Sequence, residues 1–148
     1  MLKSKLLQDF KEAMKSKNLI AKNTIQLLRA SILNKEKDLQ VELSDEDIQQ
    51  IVASEIKKRN ETIALYENNN QTQKVQELNE EINVLKTYLP KPLTQSELLE
   101  IIQDIINECG ASSVKDIGRV VKLVKAKVGA SSDGKTISEL VRKQLGGN

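Results

Sequence analysis

The sequence predicts an all-α protein, and three observations carry that prediction. Apolar residues recur every three or four positions along most of the 148-residue chain, which is the spacing of one helix face. Only two prolines and six glycines interrupt this pattern. Three aromatic residues against 30% charged residues suit long helices with an aliphatic core better than a sandwich of short strands.

Four helices are predicted before the two prolines. The second follows a polar break at 16–18, and the fourth follows the polar segment 67–73 and should run antiparallel to the third. The third opens at Ser44, a serine N-cap followed by acids that the helix dipole favours. Its polar segment 57–62, which includes Lys57, Lys58 and Arg59, is expected to be exposed on most sides. The predicted inner stripes are, in order, Leu2, Leu6, Phe10 and Met14; Ile25, Leu28 and Ile32, with Leu39 further on; Ile48, Val52, Ile56, Ile63 and Tyr66; and Val75, Leu78, Ile82, Leu85 and Leu89.

A domain boundary is predicted at "YLPKPLT", residues 88–94, which holds both prolines of the chain. Proline cannot continue a helix and pushes the residue before it out of the α region. We therefore expect an N-terminal helical, hairpin-like domain at 1–90 and a small three-helix domain at 94–148.

The C-terminal domain starts with a capping box formed by Thr94 and Glu97, and its last helix spans roughly 135–145. Val114, Ile117, Val121, Val124 and Val128 are spaced 3, 4, 3, 4 and predict a middle helix. A strand is the alternative, because β-branched residues are mediocre helix formers. The sequence "GASS" occurs at both ends of this helix. We assign turn or cap roles to four residues: Gly110 and Gly129 as left-handed C′ residues, Ser113 as an N-cap, and Gly118.

Positive charge is concentrated at the two ends of the chain. Residues 1–37 carry nine cations and three acids, 38–109 six and fifteen, and 110–148 eight and three. On the middle C-terminal helix, three cations lie opposite the valines, two lie on the flanks, and the next helix adds three more. In that order they are Lys115, Arg119, Lys122, Lys125, Lys127, Lys135, Arg142 and Lys143.

Two interpretations of these cations are open. A solvated helix face is the simpler one. The other is a surface that contacts phosphates, because clustered lysine and arginine gain affinity through counterion release without base contacts. The segment lacks aromatic residues on which single-stranded bases could stack. Structured RNA that is recognised by its backbone therefore fits, although the charge pattern alone fits DNA as well.

Catalysis by this chain alone is not expected. The sequence has no histidine, which removes the usual general base and most zinc sites. It has no glycine-rich phosphate loop. Cys109 lies on an apolar stripe, and the helix dipole explains Asp45, Glu46 and Asp47. We expect no catalytic residue, no cofactor and no metal site.

The compartment is expected to be the cytoplasm. The N-terminus has no apolar region typical of a secretory signal. No apolar run approaches the ~20 residues of a membrane span, so we expect no membrane association.

Several motifs together resemble the YqeY family. They are "LLRASILNKEK" at 27–37, "EIKKRNETIALYE" at 55–67, "EINVLKTYLPKPLTQSEL" at 81–98, and "GASSVKDIGRVVKLV" followed by "DGKTISELVRKQL". The resemblance covers essentially the whole chain. The C-terminal half is similar to the tail domain of the B subunit of the glutamine-dependent tRNA amidotransferase (the GatB/YqeY group).

The resemblance implies an all-α fold with a three-helix tail that helps to hold tRNA. It also implies kinship to carbon–nitrogen ligases that use glutamine as the amido donor, with catalysis located in other domains and subunits. Two departures from the family pattern are "KVGASSDG" at 127–134, where a Lys-Gly-Lys is usual, and "NNNQ" at 68–71, where a Gly-Arg is usual.

The sequence thus leads to a non-catalytic, tRNA-associated helical protein whose eight C-terminal cations contact RNA. Two alternatives remain at this point. One is a protein-interaction scaffold that uses the acidic segment 38–109. The other is an amidotransferase component that is active only in a complex with protein partners.

Overall fold

A computed structural model of the protein describes residues 1–146, and these residues form seven α-helices with no strand. The all-α prediction is confirmed, and the strand alternative for the middle C-terminal helix is wrong. The helices are α1 (Leu2–Lys15), α2 (Leu19–Leu39), α3 (Asp45–Glu67), α4 (Thr72–Lys86), α5 (Gln95–Cys109), α6 (Ile117–Val128) and α7 (Gly134–Gly146). Single 3₁₀ turns, Val114–Asp116 and Gly129–Ser131, lie on either side of α6. The chain divides into two compact units, and the second begins at Pro90.

Unit 1 is built from two helical hairpins, α1–α2 and α3–α4. Asn18 is the N-cap of α2, and its side chain accepts the N–H of Ala21 at 3.1 Å. α3 begins at a capping box in which the Ser44 hydroxyl accepts the Asp47 N–H, and the Asp47 carboxylate accepts the Ser44 N–H. The buried core residues that pack together are Leu6, Ile25, Leu28, Ile32, Leu43, Ile48, Val52, Leu85 and Tyr88.

Two residues of the predicted inner stripes in unit 1 are exposed. Met14 is 49% exposed, and Ala13 is buried instead. The reason is geometric, because each step of four residues overshoots a full helical turn by about 40°, and three such steps separate Leu2 from Met14. Leu39 is 55% exposed. It is the last residue of α2, and it lies three residues beyond Glu36, the α2 residue that pairs with Lys3 near the start of α1.

Arg59 is the exception in the polar segment 57–62 of α3, which was expected to be exposed on most sides. Its side chain is only 13% exposed. The guanidinium contacts the Glu55 carboxylate at 2.9 Å and reaches the Glu81 carboxylate on α4 at 3.3 Å. Arg59 therefore ties α3 to α4, whereas four other residues of that segment are exposed: Lys57, Lys58, Asn60 and Glu61.

Unit 2 packs α5, α6 and α7 around an aliphatic core. The predicted capping box starts α5, with the Thr94 hydroxyl accepting the Glu97 N–H and the Glu97 carboxylate accepting the Thr94 N–H. The Leu93 N–H donates to the Ser131 carbonyl at 3.0 Å, which fixes the segment after the prolines. The buried residues of this core are Leu98, Ile102, Ile105, Val120, Val124, Val128, Ile137, Leu140 and Val141.

The buried stripe of α6 differs from the predicted one at two positions. Val114 is 58% exposed, whereas Val120 is fully buried. Val114 belongs to the 3₁₀ turn before α6. It therefore precedes the first residue of the α-helix whose buried face the spacing predicted.

Three of the four predicted turn and cap roles are corrected, and only that of Gly110 is found as predicted. Ser113 makes no side-chain cap hydrogen bond; instead the Asp116 carboxylate accepts the Ser112 N–H at 3.1 Å. Gly118 lies in the first turn of α6, and a Cβ placed on it would meet no atom within 4 Å, so no turn or close contact requires glycine there. Gly110 ends α5 with φ 70° and ψ 23°, the left-handed conformation. Gly129 also has a positive φ of 56°, but its ψ of −130° is not the left-handed helical value, and the chain continues into the second 3₁₀ turn.

Candidate nucleic-acid interface

α6 and α7 form an antiparallel pair. A Cβ placed on Gly134, at the start of α7, would lie 3.1 Å from Lys125 Nζ near the end of α6. A Cβ placed on Gly146, at the end of α7, would lie 3.8 Å from Val114 Cγ1, just before α6 begins. The first turn of each helix therefore lies beside the last turn of the other.

The outer side of this pair, with the 3₁₀ turn before it, carries the basic surface. Its members are the eight predicted cations, all of which are exposed: Lys115, Arg119, Lys122, Lys125, Lys127, Lys135, Arg142 and Lys143. None of them is required for the aliphatic core, because the buried stripes of α6 and α7 consist of valine, isoleucine and leucine.

The antiparallel packing collects these cations at both ends of the pair. Lys115 lies in the turn that packs beside the end of α7, where Arg142 and Lys143 are located. At the other end, Lys125 extends to Gly134, and Lys135 follows directly. Lys127 is the exception, because two residues advance about 200° around a helix and place it on the flank opposite Lys125.

Arg119 and Lys122 lie on the same side of α6, three residues apart. Arg119 donates to the Asp116 carboxylate at 3.1 Å, and its side chain is 53% exposed. Such exposed ion pairs contribute only about 0–1 kcal/mol, so a phosphate can compete for the guanidinium. The pKa of Asp116 is lowered, first by the Ser112 N–H that it accepts and then by Arg119, so this acid is charged at neutral pH.

The sequence analysis counted three acids in residues 110–148 without placing them, and two of them lie among the cations of the basic surface. Asp116 is one of them. Glu139 is the other, and it lies four residues after Lys135 and three before Arg142, on the same exposed side of α7. The i,i+3 and i,i+4 spacings between these acids and the cations were visible in the sequence, but counting charges by segment did not use them. Leu123 was also missed, and it is 42% exposed on the outer side of α6.

Charge within unit 2 is strongly polarised. α5 carries four acids and no cation, and all four acids are exposed: Glu97, Glu100, Asp104 and Glu108. Lysine and arginine are instead concentrated on α6, α7 and the turn before them. A field of this kind orients an approaching polyanion toward the α6–α7 side.

The described residues offer little for acid–base or metal chemistry. No group of three or more potential metal ligands occurs among them. Cys109 is partly buried, with Sγ 3.9 Å from the Ile106 carbonyl oxygen. Asp45 accepts the Leu2 N–H at 3.1 Å, and Asp47 is held in its capping box. None of the helices in residues 1–146 combines the length and apolarity needed to cross a bilayer.

Comparison with known proteins gives one family and a distant curated relative. The chain is 27% identical over 147 residues to "Altered inheritance of mitochondria protein 41, mitochondrial" of Pyrenophora tritici-repentis, which covers 96% of this chain and 80% of the relative. The family model described as "Yqey-like protein" matches residues 3–145 and so includes both units. The chain therefore belongs to the Yqey-like protein family.

Proposed function

We propose that this protein is a non-catalytic, tRNA-associated protein, and that the basic surface of α6 and α7 holds the phosphate backbone of the RNA. One observation carries the proposal. All eight cations of that surface are exposed, and within residues 1–146 only Arg119 is ion-paired. Unpaired, solvated lysine and arginine side chains are the groups that gain most from phosphates through counterion release.

The chemistry of unit 2 favours a structured RNA over a single strand. The three aromatic residues of the chain, Phe10, Tyr66 and Tyr88, all belong to unit 1. Unit 2 therefore has no ring on which an unpaired base could stack. α6 alone is about 18 Å long, which spans several phosphates of one strand.

The choice of tRNA comes from the resemblance of this unit to the amidotransferase tail domain. The proposal assigns to this chain the holding of RNA, and it leaves any amide transfer to other proteins. It also keeps the cytoplasm as the compartment. The acidic segment 38–109 runs across the boundary between the two units, so we do not propose it as a single scaffold surface.

The test is a titration of the full chain with folded tRNA over a range of salt concentrations. Arg119→Glu with Lys122→Glu should weaken binding at least tenfold at low salt. The slope of log K against log salt should fall by about two, because each phosphate contact contributes about 0.9. Unchanged binding by this double variant would remove the basic surface from the function.

Two controls sharpen the experiment. Lys74→Glu with Lys86→Glu makes the same change of charge on α4, where both lysines are exposed, and it should leave the affinity almost unchanged. Duplex DNA of similar length is the second control. Equal affinity for the duplex would contradict the assignment to tRNA, even if the basic surface proves to be the contact.

A further inference from the structure

A second surface with a different composition lies in unit 1, in the groove between α1 and α2. It contains a cavity of about 530 Å³ lined by residues between 3 and 7 of α1 and between 26 and 36 of α2. A second cavity of about 400 Å³ is lined by Ala13, Met14, Lys17, Leu19 and Lys22. Among residues 1–146, this hairpin alone contributes lining residues, so the third side of the groove is open.

Four large apolar side chains line this α1–α2 groove and remain exposed. Leu7 and Met14 on α1 are 40% and 49% exposed, and Leu19 and Leu33 on α2 are 64% and 51% exposed. Met14 follows Leu7 by seven residues, and Leu33 follows Leu19 by fourteen, so each pair lies on one side of its helix. Clustered exposed apolar groups of this kind indicate a binding surface rather than scattered surface leucines.

The charge beside these side chains is positive. Lys17, Lys22 and Arg29 line the two cavities, and none of them is ion-paired within residues 1–146. The Arg29 guanidinium lies 5.4 Å from the centre of the Phe10 ring, which positions it at the groove. The one acid among the lining residues, Glu36, is occupied by Lys3 and by the Leu43 N–H.

We propose that the α1–α2 groove docks an acidic amphipathic helix of a protein partner. Two antiparallel helices with an open third side form the groove in which such a helix packs, with apolar anchors at i, i+3, i+4 and i+7. The exposed leucines require an apolar stripe on the partner, and the unpaired cations require acids beside that stripe.

Other occupants fit the groove less well. An RNA backbone satisfies the cations but leaves four apolar side chains uncovered. A bilayer attracts a convex apolar helix face flanked by lysine and arginine, whereas these leucines line a concave groove. The inference does not depend on RNA binding by unit 2, because no residue of the basic surface belongs to the groove.

The test places a photoreactive amino acid at Leu33 of the full chain in its native cells, and at Leu27 as the matched control. Leu27 lies on the same helix, is 59% exposed, and lines neither cavity. We expect position 33, and not position 27, to crosslink to one protein segment. Mass spectrometry should show that this segment is acidic and has an apolar stripe at helical spacing.

The crosslinked segment, made as a synthetic peptide, should bind the wild-type chain and lose at least tenfold in affinity to Leu33→Glu. Leu27→Glu should retain the binding, and circular dichroism checks that both variants are folded. The proposal is overturned if position 33 yields no protein adduct, or if it yields RNA, lipid, a second copy of the chain or a segment without acids. It is overturned equally if the peptide binds Leu33→Glu as tightly as wild type. The titration with tRNA is expected to be unaffected by Leu33→Glu, which separates this proposal from the proposed function.

Discussion

The two units of this protein use their polar side chains in different ways. In unit 1, polar side chains connect one element to another. Lys3 on α1 pairs with Glu36 on α2, Arg59 on α3 reaches Glu81 on α4, and the Tyr88 hydroxyl donates to Asp9 on α1 at 2.6 Å. In the described part of unit 2, no side-chain ion pair joins two helices, and its single pair, Arg119 with Asp116, is local.

This difference explains why unit 2 is the better candidate for binding a polyanion. Its helices are held by aliphatic packing alone, so its lysines and arginines are not needed for stability and remain solvated. In unit 1, three unpaired cations, Lys17, Lys22 and Arg29, lie beside exposed apolar side chains in the α1–α2 groove. This combination suits a partner that is both acidic and apolar. For the same sign of charge we therefore propose different partners, because the neighbouring apolar surface differs.

The largest effect that tests this comparison comes from the cores. Leu28→Ala in unit 1 and Ile137→Ala in unit 2 each remove a buried side chain, 2% and 0% exposed. Each should cost about 2–5 kcal/mol of unfolding free energy, measured by urea denaturation. Hydrogen exchange should show lost protection in α1–α4 for Leu28→Ala and in α5–α7 for Ile137→Ala. Loss of protection in both units from either change would contradict two separate cores.

Much of this fold was predictable because its signals are local. The capping box of Thr94 and Glu97 was predicted, as was the N-cap Ser44, although the box that Ser44 forms with Asp47 was not, and the polar segment 67–73 marked the end of α3. The errors arose where a regular spacing crossed a change of geometry. Val114 keeps the interval of three, but it lies in a 3₁₀ turn, and Met14 keeps an interval of four that drifts around the helix.

The candidate site was only partly predictable, for a different reason. Charge counting identified all eight exposed cations, because lysine and arginine are rarely buried without a partner. It did not identify Asp116 as the partner of Arg119, and it treated Arg59 as a surface residue. The α1–α2 groove was also missed, since the packing of two hairpins decides which face of α1 stays uncovered.

The second largest effect concerns the hydrogen bond between Tyr88 and Asp9, a polar contact between elements of unit 1. Tyr88 is 2% exposed, and its hydroxyl donates to the Asp9 carboxylate. Hydrogen bonds to charged groups contribute about 1.5–3 kcal/mol, so Tyr88→Phe should lower the unfolding free energy by about that amount at pH 7. Tyr66→Phe is the matched control on α3, where the ring is only partly buried, and it should cost much less. Equal costs for the two variants would show that the hydrogen bond contributes nothing.

The same tyrosine gives a pH dependence with a defined sign. Burial, and then the hydrogen bond to Asp9, raise the pKa of Tyr88 well above its usual value, whereas an unfolded tyrosine ionises near about pH 10. The contribution is therefore complete below about pH 10 and is lost as the pH rises above it, because the unfolded state then releases the proton more readily. Wild type should therefore lose stability more steeply than Tyr88→Phe as the pH rises above about 10. Parallel curves for the two proteins would contradict this assignment.

The smallest effect compares one matched feature of the two units, the capping boxes of α3 and α5. Ser44→Ala and Thr94→Ala each remove a hydroxyl that accepts an otherwise unpaired N–H at the start of a helix. Each should cost about 1 kcal/mol of unfolding free energy, and Ser44→Thr and Thr94→Ser should restore most of it.

The other half of each capping box is a carboxylate, Asp47 or Glu97, whose pKa is lowered by the N–H group that it accepts. The contribution of these carboxylates to stability is therefore present at neutral pH and is lost as the pH falls through their folded pKa values. Because both caps are exposed and satisfy the same backbone groups, the two costs should agree, unlike the effect of Tyr88→Phe, which has no counterpart in unit 2. A cost that appears in only one unit would show that the packing around a helix start, rather than its cap, decides how firmly that helix is held.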